Sequence, residues 1–420
     1  MKKVDVAIIG AGPAGLMAAV RAASLGKHVI LLEKNNLIGQ KILLSGHGRC
    51  NFTNELGIDD ITAFIKKYGT KGKFLYSAFS KFSPAMTVEF FRKNGIQHSV
   101  ERGRRIFPAT GDAQNVISMF CLLIRRYGIE LYRNSKVLGI KTKDSKIEHL
   151  ITRYEEIFAE KYIITTGGLS YPETGSNGDG YKFAEQVGHT IIPTYPALVP
   201  VKTKETWVKL ANGCDLRSVW ISVYLNGENV ANRFGEMEFT NFGLSGPIVM
   251  DLSAEIPDWL KNNDDILEFV IDLKPSLSRE TLIARIHREI SKEPEKGYET
   301  SVKRYSTLLR SLMPAKLIRL IVELTDIPHD KPVEYLSNEE IETLVDTLKH
   351  IKLTINGLWS YKNALVTRGG VNLKEVDPST MRSKLCENMY FAGEILDLNG
   401  PSGGYNLQMC WSTGYVAGSD

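Results

Sequence analysis

Gly10-Ala11-Gly12-Pro13-Ala14-Gly15 spaces three glycines as G-x-G-x-x-G directly after the apolar run 4–9. Each glycine serves one step of the same chemistry. Gly10 permits a tight turn, Gly12 lets a diphosphate approach the backbone, and Gly15 lets a helix pack close to a strand. A helix opening at Pro13 and Ala14 turns free N–H groups and the positive end of its dipole toward that diphosphate. Glu33 stands 21 residues beyond Gly12, at the end of a second apolar run. A carboxylate there accepts from ribose hydroxyls and disfavours a 2′-phosphate. The spacing predicts a dinucleotide site, and by itself does not separate NAD from FAD.

Three further stretches have the composition of ligand-wrapping backbone. Residues 39–54 are rich in glycine and short polar side chains, a pattern that offers backbone N–H groups to a bound anion. Thr166-Gly167-Gly168 follows the apolar run 162–166, and Gly393-Glu394 follows the strand-like 389–392. Gly404 then opens a final helix whose N-terminus favours negative charge nearby. A reduced flavin carries such charge at its pyrimidine edge, whereas a nicotinamide does not. Cys50 has no resolving cysteine close in sequence and is expected to be a small buried residue rather than a redox group.

Ordered elements must position these residues. Residues 1–35 read as one βαβ unit. Residues 55–100 look helical, with Ser83-Pro84 as a start signal and Gly95 as a stop. Strands and turns are expected over 129–166. A hairpin is expected at Asn226-Gly227, with more strands at 235–240, 247–252 and 266–273. Residues 278–350 turn helical, and Ser337 with Glu340 forms a capping box. The simplest architecture is an α/β chain with a split Rossmann-like domain, 1–191 and 351–420. It is interrupted by a β-rich insertion, 192–277, and a helical subdomain, 278–350.

Composition narrows the class. The chain has 420 residues, 43% hydrophobic and 24% charged, which excludes disordered and disulfide-scaffold proteins. A net charge of +4 announces no polyanion partner. Residues 279–319 hold ten Lys/Arg against five Asp/Glu, but the acids Glu289, Glu293, Glu295 and Glu299 are interspersed and no aromatic cluster accompanies them. A solvated helical face is expected there, which argues against a nucleic-acid partner. The five cysteines form no C-x-x-C pair, so no metal site and a reducing, cytoplasmic compartment are expected. No apolar run is long enough for a membrane span. Nothing in the sequence indicates an oligomeric state.

Taken as blocks, residues 10–15, 39–54, 175–180, 239–247, 366–371 and 390–408 resemble the NAD(P)/FAD-dependent oxidoreductase family of flavoproteins. That family includes aminoacetone oxidase-like proteins and reductases of unsaturated bile-acid intermediates. The resemblance runs over nearly the whole chain and implies FAD, a Rossmann-like FAD domain and an inserted β-barrel with a helical portion. It implies that Glu33 holds the adenosine ribose and that Arg49, Cys50 and Asn51 line the flavin side. Gly393 and Glu394 would lie near the ribityl–phosphate stretch, and Gly404, Tyr405, Asn406, Leu407 and Gln408 near the ring. Lys34, Gln40, Lys41, Ser45, Gly46, Val137, Thr166, Gly167 and Gly168 complete the expected cofactor contacts. Two positions depart from the family pattern: His47 stands where glycine is common, and Thr165 where alanine is usual.

The resemblance implies hydride transfer through the flavin to or from a small organic substrate. A reductase acting on a conjugated C=C bond also needs a proton donor, for which His47, Tyr171 and Tyr405 are the candidates. No second G-x-G-x-x-G is present, so NAD(P)H is expected only as a transient electron donor. An oxygen-using amine or aminoketone oxidase and a flavin-dependent RNA-modifying enzyme are the alternatives.

Overall fold

The computed structural model describes residues 2–262, 264–292 and 302–420. The chain forms two compact units, one from its start to Ala197 together with Tyr361–Asp420, the other from Leu198–Ser360. The first unit holds β1 (Lys2–Ile9), β2 (Val29–Leu32), β3 (Thr53–Asn54), β4 (His98–Glu101), β5 (Arg105–Pro108), β6 (Glu130–Tyr132), β7 (Val137–Lys143), β8 (Lys146–Thr152), β9 (Glu156–Ile164) and β10 (Ile191–Ala197). The second contributes β11 (Val201–Thr203), β12 (Cys214–Leu225), β13 (Glu228–Thr240), β14 (Gly243–Ser245), β15 (Leu267–Asp272) and β16 (Ile351–Leu358). β17 (Val366–Val371) and β18 (Met389–Phe391) belong again to the first.

The main sheet of the first unit runs β6-β2-β1-β9-β8-β7, with β18 on β9. β2 is buried at every position, as a parallel strand covered on both faces requires. Register is what builds the site. Ile9 pairs Leu32 on one side of β1 and Ile164 on the other, and Ile164 pairs Phe391. The carboxyl ends of four parallel strands therefore finish level. The loops that leave them are Gly10–Gly12, Glu33–Lys34, Thr165–Gly168 and Ala392–Glu394. Ligands of open α/β sheets bind in this crevice, where the chain turns to opposite sides of β1.

Helix α1 (Pro13–Ser24) starts with proline at its first position and buries a run of small residues, Ala14, Gly15, Ala18, Ala19 and Ala22. Gly15 has no alternative, because a Cβ there would lie 1.9 Å from the Gly10 carbonyl oxygen. The C-terminal helix Tyr405–Ala417 crosses α1 just as closely: a Cβ on Gly414 would lie 2.3 Å from the Ala14 oxygen. A small sheet, β3-β5-β4, and a pair, β10-β17, complete the first unit.

In the second unit β11-β14-β13-β12-β15-β16 close into a barrel. Asn226 and Gly227 both take positive φ, 51° and 87°, in the β12–β13 hairpin, as a two-residue type I′ turn demands. The helices Arg279–Ile290, Tyr305–Leu312, Ile318–Thr325 and Asn338–Lys349 share one apolar core with the barrel. The Ser337–Glu340 capping box is present.

Three sequence expectations change here. Residues 247–252 are a helix, Pro247–Ser253, not a strand, because Gly246 at φ 90° followed by Pro247 starts a helix whose apolar run is buried. Residues 351–358 were assigned to the cofactor domain, but they supply β16, which pairs both β15 and β11 to close the barrel. Of the expected insertion, 192–197 lie in β10 of the first unit, and 198–277 share one core with 278–350, so neither portion stands as a separate body. In the basic segment Arg279 is paired with Glu342 and Asp346, Lys292 with Glu289, and Lys316 donates to the Gly213 carbonyl. Glu293, Glu295 and Glu299 lie outside the described residues.

Candidate functional site

The level strand ends border a cleft within the first unit. Its walls include Gly10, Gly12, Pro13, Ala14, Glu33, Lys34, Gln40, Lys41, Val137, Thr166, Gly167 and Glu394. Gly12 faces open space: a Cβ there meets no atom within 4 Å, whereas Cβ positions at Gly10 and Gly15 are blocked by backbone. No side chain caps α1 and no acid lies in its first turn, so its first N–H groups point at the cleft unchallenged.

Glu33 is fixed from both sides. Oε2 accepts from Ala11 N at 2.9 Å and Oε1 from Asn35 N at 2.9 Å. Burial pushes its carboxyl pKa up, and the hydrogen bonds from Asn35 and Ala11 oppose that rise. Each carboxylate oxygen has two acceptor sites, so one on each remains for a ribose hydroxyl. Lys34 donates to Asn177 Oδ1 at 2.8 Å and pairs with Asp179 at 2.9 Å, while Lys136 lies 3.6 Å from the same carboxylate. Burial works against ionisation of Asp179, but the two lysines hold it below the usual range.

The deep end is a buried polar hub on Glu394. Oε1 accepts from Ser170 Oγ at 2.6 Å and from Thr367 N at 2.8 Å, and Oε2 from Lys41 Nζ at 2.8 Å. Burial opposes its charge, yet Lys41, Ser170 and Thr367 keep its pKa below the ordinary value. Lys41 also donates to Ser170 Oγ at 3.0 Å. Glu394 therefore aims a lysine on α2 (Gln40–Leu44) at the cleft wall, its own oxygens already engaged.

Several of the expected contacts do not line this cleft. Cys50 is fully buried and its thiol is pushed up to about 12 by burial. Asn51 Nδ2 donates to the Thr53 and Ile106 carbonyls, riveting the loop to β5. Ser45 Oγ bonds the Ile42 carbonyl, and Gly46 leans on the Phe107 ring. Arg49 pairs with Glu101 at 2.8 Å. Gly168 packs against Thr367, and Gly393 donates its N–H to Thr413 Oγ1. Gly404, at φ 98°, lies so close to Thr53 that a Cβ would sit 2.3 Å from its oxygen. Asn406 clamps Gly400 through both its N–H and carbonyl, Leu407 packs on the core, and Gln408 donates to Thr87 and Ser412. These residues shape the glycine turn and the helix behind it; none lines the cleft.

The proton-donor candidates separate in the same way. Tyr405 is a core residue, stacked on Phe64 at 4.6 Å, because its position in the first helical turn faces the aromatic cluster. His47 is exposed at φ 58°, and Tyr171 is half-buried at φ 49°. Leu37, Ser135, Lys136, Ser176, Asp179 and Cys410 line the cleft without having been expected as contacts. Ser176 and Asp179 lay within the glycine-rich block 175–180, whereas Ser135 and Cys410 carry no local signal.

Aligned parallel strand ends, an open Gly12 cradle and a fixed acid after β2 suit an adenine dinucleotide, and they define a Rossmann-type nucleotide-binding site. The chain belongs to the family described as "HI0933-like protein Rossmann domain", which matches residues 4–420. It is 32% identical over 415 residues to the 3-dehydro-bile acid delta(4,6)-reductase of Clostridium scindens, covering 98% of each chain. It is 31% identical over 415 residues to the ribosomal RNA dihydrouridine synthase of Haemophilus influenzae, covering 97% of this chain and 96% of that one. Among solved structures, 3-ketosteroid delta1-dehydrogenase from Sterolibacterium denitrificans shares the fold at a TM-score of 0.54 and 12% identity, over 100% and 99% of the two chains. The protein is thus an FAD-dependent oxidoreductase. Among the described residues no helix is long and apolar enough to cross a membrane.

Proposed function

We propose that this chain is a reductase that passes hydride through FAD to a C=C bond conjugated with a carbonyl, with NAD(P)H as the transient electron donor. One observation carries this reading: the end-to-end similarity to relatives whose names denote the same type of reduction. A 3-dehydro delta(4,6) substrate is a ketone conjugated with two double bonds. Dihydrouridine differs from uridine by two hydrogens across a double bond next to a carbonyl. FAD supplies the hydride chemistry when bound.

The chain's own residues have separable tasks. The N-terminus of α1 and Gly12 receive the diphosphate, Glu33 takes the ribose, and Lys41 faces the cofactor from the position that Glu394 imposes. The proton that accompanies the hydride comes from His47 or Tyr171, the two candidates that are not buried. We take a small organic enone as the substrate. The synthase relative favours a second reading, a uridine in RNA. A cytoplasmic location fits five cysteines that are all free thiols.

Anaerobic stopped-flow mixing tests the proposal. NADH or NADPH should bleach the flavin band, and a conjugated enone, or a uridine-containing RNA for the second reading, should restore it. A reduced flavin that no such acceptor reoxidises refutes both readings, and rapid reoxidation by oxygen with an amine as reductant would indicate an oxidase.

A further inference from the structure

A cationic face lies beside the glycine turn that opens the C-terminal helix. Phe107 is its floor, buried on β5, with the Arg49 guanidinium 4.3 Å from the ring centroid and that of Arg105 at 5.9 Å. The loop carrying Arg49 and His47 leans on the same ring, since a Cβ at Gly46 would lie 2.8 Å from Phe107 Cε1. Asn54 Nδ2 joins this hairpin to the glycine turn by donating to the carbonyls of Gly103 at 3.1 Å and Gly403 at 2.9 Å. A Cβ at Gly403 would sit 3.8 Å from Arg105 Cγ.

The arginines here differ in how their charge is met. Arg104 is paired with Glu55 and Asp59, and Arg49 with Glu101. Arg105 donates Nε to the Arg102 carbonyl at 2.9 Å and forms no ion pair among the described residues. Its terminal nitrogens are a planar fork with no carboxylate to hold, the arrangement that recognises a carboxylate or phosphate through two parallel hydrogen bonds.

We propose that Arg105, beside Arg49 on the Phe107 ring, is an oxyanion-recognition site for the substrate. It takes the carboxylate of a small organic substrate, or a backbone phosphate if the substrate is RNA. The assignment rests on the reductase reading above and on the resemblance of residues 404–408, which implies that the flavin ring lies near the turn before the C-terminal helix.

The test is equilibrium binding to the FAD-loaded protein, which requires no turnover. The probes are a 3-oxo-4-ene steroid carboxylic acid and its methyl ester, followed by the flavin spectrum, and a uridine-containing RNA hairpin, followed by anisotropy. For a carboxylate substrate, the acid should bind about tenfold or more tightly than the ester, and Arg105→Gln should remove that difference while leaving the ester unchanged. For an RNA substrate, Arg105→Gln should weaken the hairpin about tenfold and lower the slope of log affinity against log salt by about one. The proposal is overturned if Arg105→Gln binds every anion as the parent does, if acid and ester lose affinity equally, or if the parent binds none of the probes. Failure of the reductase reading is distinct, since it is read from flavin reoxidation and not from binding.

Discussion

Removing the charge of Glu394 while keeping its shape isolates the hub at the deep end of the cleft. In Glu394→Gln the amide oxygen can still accept from Ser170 Oγ and Thr367 N, as Oε1 does, but an amide NH2 replaces Oε2, so the ammonium of Lys41 loses both its counter-charge and its acceptor. Breaking a buried pair by deleting one partner costs about 3–5 kcal/mol. The Lys41 side chain is 18% exposed where it lines the cleft, so water relieves part of that cost and the low end, about 3 kcal/mol, applies. At about 1.4 kcal/mol per decade this is on the order of a hundredfold. A single unfolding free energy is not defined for a chain of two units, so amide hydrogen exchange resolved to peptides is the suitable assay. Peptides covering 38–45, 166–171 and 366–372 should exchange about a hundredfold faster, and barrel peptides over 214–240 should not change. Adding Lys41→Met removes the stranded charge and should bring exchange back to within about tenfold of the parent. The pH dependence has a fixed sign. Because the folded-state pKa of Glu394 lies below 4.5, its stabilisation is complete above that value and is lost as pH falls through the lowered one. Exchange in Glu394→Gln within threefold of the parent, or no rescue by Lys41→Met, would refute the hub.

Two further outcomes follow from the same geometry. Glu33→Ala leaves Ala11 N and Asn35 N without acceptors and would remove the proposed ribose contact, so FAD affinity should fall at least about tenfold, measured by flavin fluorescence released on dilution; unchanged affinity removes Glu33 from that role. Cys50, with its thiol at about 12 and no exposure, should remain unalkylated by iodoacetamide at pH 8 in the folded protein, and rapid labelling seen by peptide mass spectrometry would contradict its burial.

The strand–turn–helix of the proposed adenine end was legible because each of its residues answers a local demand. Gly10, Gly12 and Gly15 are required within one strand–turn–helix, and Glu33 simply ends the next strand. The Asn226-Gly227 hairpin and the Ser337–Glu340 cap were legible for the same reason, since turn and cap chemistry act over a few residues. The strand expected at 247–252 failed because a short apolar run fits a buried helix equally well, and the helix start at Gly246-Pro247 decided it.

By itself the sequence determined the chemistry on offer: a diphosphate cradle, a ribose acid, and a glycine-rich chain built to approach a flavin. Tertiary structure alone decided which polar side chains line the cleft and which hold the protein together. Asn51 and Tyr405 carry the same groups as a binding residue, yet the Asn51 amide donates to two buried carbonyls and the Tyr405 ring packs in an aromatic cluster. Lys41 and Glu394, 353 residues apart, meet because parallel register brings the ends of β2, β1, β9 and β18 level. Arg105 forms no ion pair among the described residues, whereas its neighbours Arg49 and Arg104 are supplied with acids that the fold, not the sequence spacing, delivers.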